Sequence, residues 1–152
     1  MTVVIRRMTS ADVPAVSQID HMSFSLPWPE HSFQYEVAEN RVSRCWVAEA
    51  EDKRIAAMIV SWLIVDEMHI ATIATHPDFR RQGIGRTILR QALLDAKQSG
   101  ARLAFLEVRA TNTAAQTMYT KFGFRVTGKR PRYYRDNGED AVLMTLEPLE
   151  IE

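Results

Sequence analysis

The stretch Arg80-Arg81-Gln82-Gly83-Ile84-Gly85-Arg86 decides how this chain folds, because it joins an apolar segment ending at Thr75 to apolar residues at helical spacing. Glycines at a strand-to-helix turn let the backbone come close to a ligand. Free N–H groups of the first helical turn, the positive end of the helix dipole and the arginines together favour a phosphate or pyrophosphate. A plain glycine turn into a surface helix is the alternative that the spacing alone leaves open.

Two common phosphate-binding motifs do not fit this stretch. The Walker A pattern needs a lysine after its last glycine, and none follows Gly85. The dinucleotide pattern needs a third glycine where Ile88 stands. What remains is the pattern R-x-x-G-x-G, which resembles the acyl-CoA pyrophosphate loop of the GNAT acetyltransferases.

Length and composition predict one globular domain over residues 1–152, with enough apolar side chains for a sizeable core. The chain has 152 residues, of which 46% are hydrophobic and 25% are charged. Its formal net charge of +0 excludes a long-range field that would draw the whole protein to nucleic acid or to a membrane. No segment approaches the ~18 apolar residues of a membrane span, and the N-terminus lacks the basic-then-apolar order of a signal peptide. A cytoplasmic protein is therefore expected.

The side chains that often carry thiol or metal chemistry are not spaced for it. The single cysteine, Cys45, lies in a predicted strand, where a buried structural thiol is expected rather than a nucleophile. The four histidines, His21, His31, His69 and His76, show no zinc-ligand spacing. No metal site is therefore predicted.

Hydrophobic patterning predicts the element order β-α-α-β-β-β-α-β-α-β-β, a mixed α/β fold of about seven strands flanked by about four helices. The sheet is expected to be antiparallel at first and to contain a parallel βαβ crossover in the middle. Leu103–Val108 is predicted to be a strand buried on both faces, and Gly128–Asp140 a polar loop before the last strand. A ligand is expected at the crossover, beyond the carboxyl ends of its strands.

Glu107 and Tyr119 are candidates for proton transfer. Glu107 stands near the end of a predicted apolar strand, where a carboxylate is costly unless it is paired or lies on a cleft. An ordinary salt bridge, to Arg109 or Arg81, is the alternative. Tyr119 follows Asn112, the predicted N-cap of the next helix, by two helical turns, so that both could face one cleft. A core tyrosine with its hydroxyl at the edge is the alternative.

Three motifs, in this order along the chain, resemble the GNAT acetyltransferases. They are the R-x-x-G-x-G loop, then Leu106-Glu107-Val108-Arg109-Ala110-Thr111-Asn112-Thr113-Ala114-Ala115, then Met118-Tyr119-Thr120-Lys121-Phe122-Gly123-Phe124. Further motifs are similar to the RimI-type ribosomal-protein-alanine N-acetyltransferases: Pro27-Trp28, Asp66-Glu67, His76-Pro77-Asp78-Phe79, Tyr133-Tyr134 and Gly138-Glu139-Asp140-Ala141. The resemblance covers essentially the whole chain. It implies the GNAT fold, in which a splayed pair of strands binds acetyl-CoA.

The resemblance also implies which residues bind acetyl-CoA. The backbone of Ile73, Ala74 and Thr75 would pair with the pantetheine arm as if it were an added strand. Asn112 would fix this arm from the other side. The pyrophosphate would be held by the backbone N–H groups of Arg81, Gln82, Gly83, Ile84, Gly85 and Arg86.

The implied reaction is direct transfer of an acetyl group from the thioester to an amine. Glu107 would remove a proton from the amine, directly or through a water molecule. Tyr119 would also contact the cofactor and would protonate the leaving thiolate. A backbone N–H near Ile73 or Ala74 would stabilise negative charge on the thioester oxygen.

The resemblance implies that the acceptor is the N-terminal amine of a protein, with the N-terminal alanine of a ribosomal protein as the expected case. The acceptor would lie between the Ser25–Glu30 turn and the Arg132–Arg135 loop, with Trp28, Tyr133 and Tyr134 lining the groove. Packing of these loops against the sheet is the alternative role for the three aromatic residues. A monomer or weak dimer is expected, with no membrane contact and no direct binding of nucleic acid.

Other functions stay open on the sequence. The acceptor could be a small-molecule amine or a lysine side chain, with the same donor. The chain could also be a non-catalytic acyl-CoA-binding module, in which Glu107 and Tyr119 would be incidental. Lys129-Arg130-Pro131-Arg132-Tyr133-Tyr134-Arg135 interleaves basic and aromatic residues as RNA-binding segments do, although zero net charge favours a solvated loop.

Overall fold

The computed structural model describes residues 2–151, and its helices and strands follow one another in the predicted order. Short 3-10 turns at Ser10–Asp12 and Pro77–Phe79 precede the first and third helices. The elements are β1 (Val3–Arg7), α1 (Val13–Ser23), α2 (Glu30–Ala38), β2 (Ser43–Ala50), β3 (Ile55–Ile64), β4 (Glu67–Thr75), α3 (Ile84–Gln98), β5 (Leu103–Arg109), α4 (Thr113–Phe122), β6 (Arg125–Arg130) and β7 (Ala141–Leu146).

The seven strands form one mixed sheet in the order β1-β2-β3-β4-β5-β7-β6. Within the described residues β4 and β5 are the one parallel pair, and α3 makes the crossover between them. Every other neighbouring pair is antiparallel. The predicted fold class, with its antiparallel first part and its central βαβ unit, is confirmed.

β4 and β5 pair only where they begin. Glu67–His69 lies opposite Leu103–Phe105, and the pairing stops there although both strands continue. β4 stays paired with β3 beyond this point, with a bulge at Ala71. The edge of β4 that faces β5 is therefore open from Ile70 to Thr75, which makes the splayed pair that the sequence predicted.

Helices cover both faces of the sheet and bury two apolar cores. α3 and α4 pack on one face, where Ile88, Leu89 and Leu93 are wholly buried. α1 and α2 pack on the other face, where Val16 of α1 and Phe33 of α2 are wholly buried. Each such side chain stabilises the fold by about 1.5–3 kcal/mol relative to its exposure. In residues 2–151 no helix combines the length and the apolar character that a membrane crossing requires.

An ion pair connects β1 to the start of α1, where Thr9 and Asp12 form a capping box. The Thr9 N–H donates to Oδ2 of Asp12 at 2.8 Å, and Arg6 donates to both Asp12 oxygens at 2.8 and 2.9 Å. Burial alone would raise the pKa of the Asp12 carboxyl, but the hydrogen bonds from Arg6 and Thr9 outweigh it and lower that pKa. The first helix therefore begins at a fixed position on the sheet.

Two predictions for the second half of the chain were wrong. β5 is not buried on both faces: Leu106 and Val108 are buried, whereas Phe105 and Glu107 alternate with them and are only half-buried. α1 and α2 lie over β2, β3 and β4, so the helices leave this side of β5 uncovered. The predicted loop also starts later, because β6 pairs with β7 as far as Arg130 and includes Gly128.

The prediction of a buried structural thiol at Cys45 is confirmed. The side chain is buried in the core under α1 and α2, and its sulfur lies 3.1 Å from Oγ of Ser43. Burial raises the pKa of the Cys45 thiol to about 11, so the thiol stays protonated at neutral pH.

Candidate functional site

The loop into α3 has a backbone shaped to bind an anion. Gly83 is the N-cap of α3 and takes the left-handed conformation, with φ of 78°, and Arg81 is left-handed as well, with φ of 64°. Within residues 2–151 none of the backbone N–H groups from Arg81 to Arg86 donates to another residue. Such a run of free donors at the positive end of a helix suits a pyrophosphate, as the sequence predicted.

One arginine of this loop bonds to the protein backbone, and two others are exposed to solvent. Arg80 donates from Nε to the Thr75 carbonyl at 3.1 Å and so holds the loop against the end of β4. Arg81 and Arg86 are exposed and form no ion pair with the described residues. Their charge is available to a phosphate group.

Gly85 brings the loop, β4 and α4 together. A Cβ atom at this position would lie 3.3 Å from Oγ1 of Thr75 and 4.0 Å from the sulfur of Met118. The first contact is tighter than ordinary van der Waals packing, so a larger residue would require the Thr75 side chain to shift by a few tenths of an ångström. The predicted pyrophosphate loop therefore adjoins the open edge of Ile73, Ala74 and Thr75.

Glu107 lies on β5, opposite this open edge, and its partner is a histidine. Nε2 of His69 on β4 is 3.1 Å from Oε1 and 3.2 Å from Oε2 of Glu107. The two side chains are 23% and 11% exposed, so both border the cleft and neither is sealed in the core. The alternative partners suggested by the sequence, Arg109 and Arg81, are wrong.

His69 is held on both sides by aromatic rings. It stacks on Phe105 with ring centroids 4.4 Å apart, and Trp62 meets it edge-on at 5.2 Å. The three residues are register partners across β3, β4 and β5. We call Trp62, His69 and Phe105 the aromatic row. Sequence reasoning missed it, because the row depends on the register of strands that lie far apart along the chain.

Arg109 organises the mouth of the cleft. Its guanidinium donates to Asp136 at 2.9 Å and to Glu139 at 3.2 Å, and it lies 4.0 Å above the ring of Tyr134. Asp136 also accepts a hydrogen bond from Ser25, which belongs to the turn between α1 and α2. The two loops predicted to enclose the acceptor are therefore in contact.

The three aromatic residues predicted to line the acceptor groove differ in exposure. Tyr133 is 46% exposed and meets half-buried Tyr134 edge-on at 5.1 Å. Burial raises the pKa of Tyr134 to about 12, with Arg109 opposing the shift. Trp28 stacks on Phe33 at 5.1 Å, and its backbone N–H donates to the buried Asp20 at 2.7 Å.

Tyr119 points from α4 into the interior and is only 5% exposed. Burial raises the pKa of its hydroxyl well above the ordinary value, and nearby Tyr134 raises it further. Within the described range, no hydrogen bond contributes to the pKa shift of this hydroxyl. Asn112 caps α4, as predicted, by accepting a hydrogen bond from the Ala115 N–H at 3.2 Å.

Among residues 2–151, no group of three or more histidine, cysteine, aspartate or glutamate side chains could hold a metal ion. The gap instead has free backbone donors on one side and a carboxylate paired with a histidine on the other. This set is suited to binding a phosphate-bearing ligand and to moving protons beside it.

Sequence comparisons agree with this geometry. The profile of the Acetyltransferase (GNAT) family matches residues 13–124. A relative from Bacillus subtilis (strain 168) is 39% identical over 140 residues, which cover 92% of each chain. The ribosomal protein bS18-alanine N-acetyltransferase of Escherichia coli (strain K12) is 31% identical over 144 residues, or 93% of this chain and 95% of that enzyme.

Solved structures share the fold over nearly the full length. The crystal structure of the ribosomal-protein-S18-alanine N-acetyltransferase from Escherichia coli has a TM-score of 0.89 at 29% identity, and the match covers 99% of this chain and 97% of that one. Arabidopsis thaliana NAA60 in complex with acetyl-CoA has a TM-score of 0.87 at 16% identity, covering 96% and 98%.

Proposed function

This chain belongs to the GNAT family of acetyltransferases, and we propose that it transfers the acetyl group of acetyl-CoA to the N-terminal alanine of a ribosomal protein. The observation that carries the proposal is the gap between β4 and β5. The loop of free N–H groups adjoins one side of this gap, and Glu107 lies on the other. We further propose that one acetyltransferase domain spans residues 1–152.

Acetyl-CoA supplies an acetyl group activated as a thioester. In the proposal the N–H groups from Arg81 to Arg86 bind its pyrophosphate, and the exposed Arg81 and Arg86 add positive charge. The open edge at Ile73, Ala74 and Thr75 binds the pantetheine arm through the backbone. The Asn112 amide nitrogen is left for this arm, because its oxygen already caps α4.

Glu107 acts as the general base in this proposal. An α-amine has an ordinary pKa of about 7.7–8.0, so much of it is protonated at neutral pH and cannot attack a thioester. The Glu107 carboxylate accepts the surplus proton, directly or through a water molecule. His69 holds both carboxylate oxygens from one side and so fixes the direction in which the free lone pairs point.

Tyr119 acts as the general acid that protonates the departing thiolate. Burial raises its pKa above the ordinary tyrosine value, so the phenol is protonated at neutral pH. Within the described residues no hydrogen bond contributes to this pKa shift, and in the proposal the phenol donates its proton to a ligand atom in the gap. A backbone N–H near Ile73 or Ala74 supplies the donor to the thioester oxygen.

The acceptor N-terminus enters between the turn that carries Trp28 and the loop that carries Tyr133 and Tyr134. Asp136 connects these loops, because it accepts hydrogen bonds from Ser25 and from Arg109. The likeness to the Escherichia coli enzyme supports an alanine acceptor on a ribosomal protein.

The test is release of free CoA thiol with an unblocked peptide that begins with alanine. The matched control is the same peptide acetylated at its α-amine, and both peptides carry one internal lysine. Turnover of the unblocked peptide alone supports the proposal. Equal turnover of both would assign the activity to lysine side chains, and turnover of small amines only would contradict a protein acceptor.

A further inference from the structure

A groove of about 760 Å³ runs along α2 and lies apart from the gap that holds the proposed reaction. Its walls include Trp28, His31, Tyr35, Glu36, Glu39 and Trp62. Tyr35 is 51% exposed, although its ring is large and partly apolar. Aromatic side chains left at the surface beside a site are a common feature of binding surfaces.

The aromatic row connects this groove to Glu107. Trp62 lines the groove and also meets His69 edge-on, and His69 contacts Glu107. Because neighbouring strands lie about 4.8 Å apart, Trp62 on β3 is about 10 Å from the β5 strand that carries Glu107. An extended chain advances about 3.3 Å per residue. A peptide with its first residue at Glu107 would therefore bring about its fourth residue to Trp62.

The groove carries two carboxylates, Glu36 and Glu39, and His31 is the side chain of its lining that could carry a positive charge. The carboxylate of Glu36 is buried at its floor, where it accepts hydrogen bonds from Trp62 and from Asn40. Within residues 2–151 neither Glu36 nor Glu39 forms an ion pair, and no lysine or arginine lines the groove. A carboxylate without a counter-ion attracts a cation, and of the two Glu39 is the exposed one.

We propose that this groove binds the acceptor chain at about its fourth to sixth residues and selects lysine or arginine there. The inference rests on the proposed function. A cationic side chain in the groove lies over the rings of Trp62 and Tyr35 and near the carboxylates of Glu36 and Glu39. Acceptors are therefore chosen by charge downstream of the residue that is acetylated.

The experiment measures kcat and KM by CoA release for alanine-first peptides that differ only in the position of charge. One set carries two lysines at residues four and five, a second carries two glutamates there, and a third carries the lysines at residues nine and ten. The first set should have a KM about tenfold below the second, and the third should resemble a neutral peptide.

Charge reversal in the groove provides the decisive variant. Glu39→Lys should abolish or invert the difference in KM between the peptides with lysine and with glutamate at residues four and five. Glu51→Lys is the matched control, since Glu51 is also exposed but lies in the turn after β2, at the opposite end of the β2–β3 hairpin. It should leave the preference unchanged.

Equal KM values for the lysine and glutamate sets would overturn the inference while leaving the proposed function intact. A loss of preference in Glu51→Lys equal to that in Glu39→Lys would overturn it too, because the effect would then be one of net charge. Self-association that Tyr35→Ala disperses, without any charge preference, would assign the groove to a second copy of the chain. If none of the unblocked peptides is turned over, the proposed function is wrong, and this inference is wrong with it.

Discussion

His69 and Glu107 join β4 to β5 by their side chains at the place where the backbone pairing of the two strands ends. His69 belongs to the last paired position of β4, and Glu107 lies two residues beyond its partner Phe105 on β5. The contact therefore closes one end of the gap, and it keeps the Glu107 carboxylate at the border of the cleft.

Replacing the proposed base should slow the chemical step without weakening cofactor binding. Glu107→Gln keeps the size of the side chain and can still accept from His69, but it cannot take a proton. We expect kcat to fall about 100-fold or more, in line with the usual contribution of a general base. The KM for acetyl-CoA should change little, and unchanged kcat in steady-state assays would contradict the role.

His69 should act through Glu107. Removing its ring in His69→Ala frees the carboxylate to turn and should lower kcat about tenfold, because a small misplacement of a reacting group is costly. His69→Gln can still donate to the carboxylate and should recover most of the loss. If His69→Ala in the Glu107→Gln background lowers kcat by a further tenfold, the two residues act independently and the positioning role is wrong.

Tyr119→Phe should lower kcat and change little else. The ring still packs on Phe124, but no phenol is left to protonate the thiolate. Burial raises the wild-type pKa of Tyr119, so this acid stays protonated as pH rises past the ordinary tyrosine value of 10.0. The pH–rate profile of the wild type should therefore show no loss of activity from Tyr119 up to that pH. Thermal unfolding of both proteins checks that the fold is intact.

Gly83→Ala should weaken acetyl-CoA binding. Gly83 has φ of 78°, and an alanine in this left-handed region costs about 1–2 kcal/mol, so the loop would change its conformation and misdirect its N–H groups. The KM for acetyl-CoA should rise about fivefold to thirtyfold. Gly100→Ala is the matched control, because Gly100 is also left-handed, with φ of 102°, but lies beyond the other end of α3. A similar rise in the KM of Gly100→Ala would mean that both substitutions act by destabilising α3, and not through the N–H groups of the loop.

Asp20→Asn should make the protein more stable at neutral pH. Burial raises the pKa of the Asp20 carboxyl above its ordinary value of 3.8, so its charged form is disfavoured in the fold. The stability it contributes is complete below pH 3.8 and is lost as pH rises through the folded pKa. Asparagine can still accept from the Trp28 N–H and carries no charge, so the advantage of the variant should grow with pH in urea unfolding.

Asp52→Asn serves as the control for this pH series, because its effect on the free energy of unfolding should change with pH in the opposite direction. Hydrogen bonds from Arg54 lower the pKa of the exposed Asp52 carboxyl. Its contribution is therefore present above pH 3.8 and lost as pH falls. The same trend in both variants would mean that Asp20 is ionised in the fold without cost.

The order of elements could be predicted because it rests on local signals. Asn112 caps α4 through its own side chain, and Gly83 begins α3 through its own backbone. The prediction for β5 was wrong, because Phe105 is apolar and still borders a cleft that the helices leave uncovered. Gly128 indicated a loop, yet it lies within the edge strand β6 as the register partner of Leu143.

The candidate site could be predicted only where one segment of the chain makes it. Gly83, Gly85 and the neighbouring arginines lie in one loop, so their chemistry is visible in the sequence. His69 and Glu107 are thirty-eight positions apart and meet only through the register of a three-residue parallel pairing. No local pattern specifies that register, and the aromatic row could not be seen for the same reason.

The short pairing between β4 and β5 divides the sheet into two parts, β1–β4 and β5–β7–β6, which we call its two blades. Within the described chain, backbone pairing unites the β1–β4 blade with the β5–β7–β6 blade at three positions only. A ligand bound between the two separated edges would contact both parts of the sheet, and the free energy of unfolding would then rise with the logarithm of the ligand concentration. If acetyl-CoA binds in the gap as proposed, we therefore expect the protein to unfold at a higher temperature as the concentration of acetyl-CoA rises.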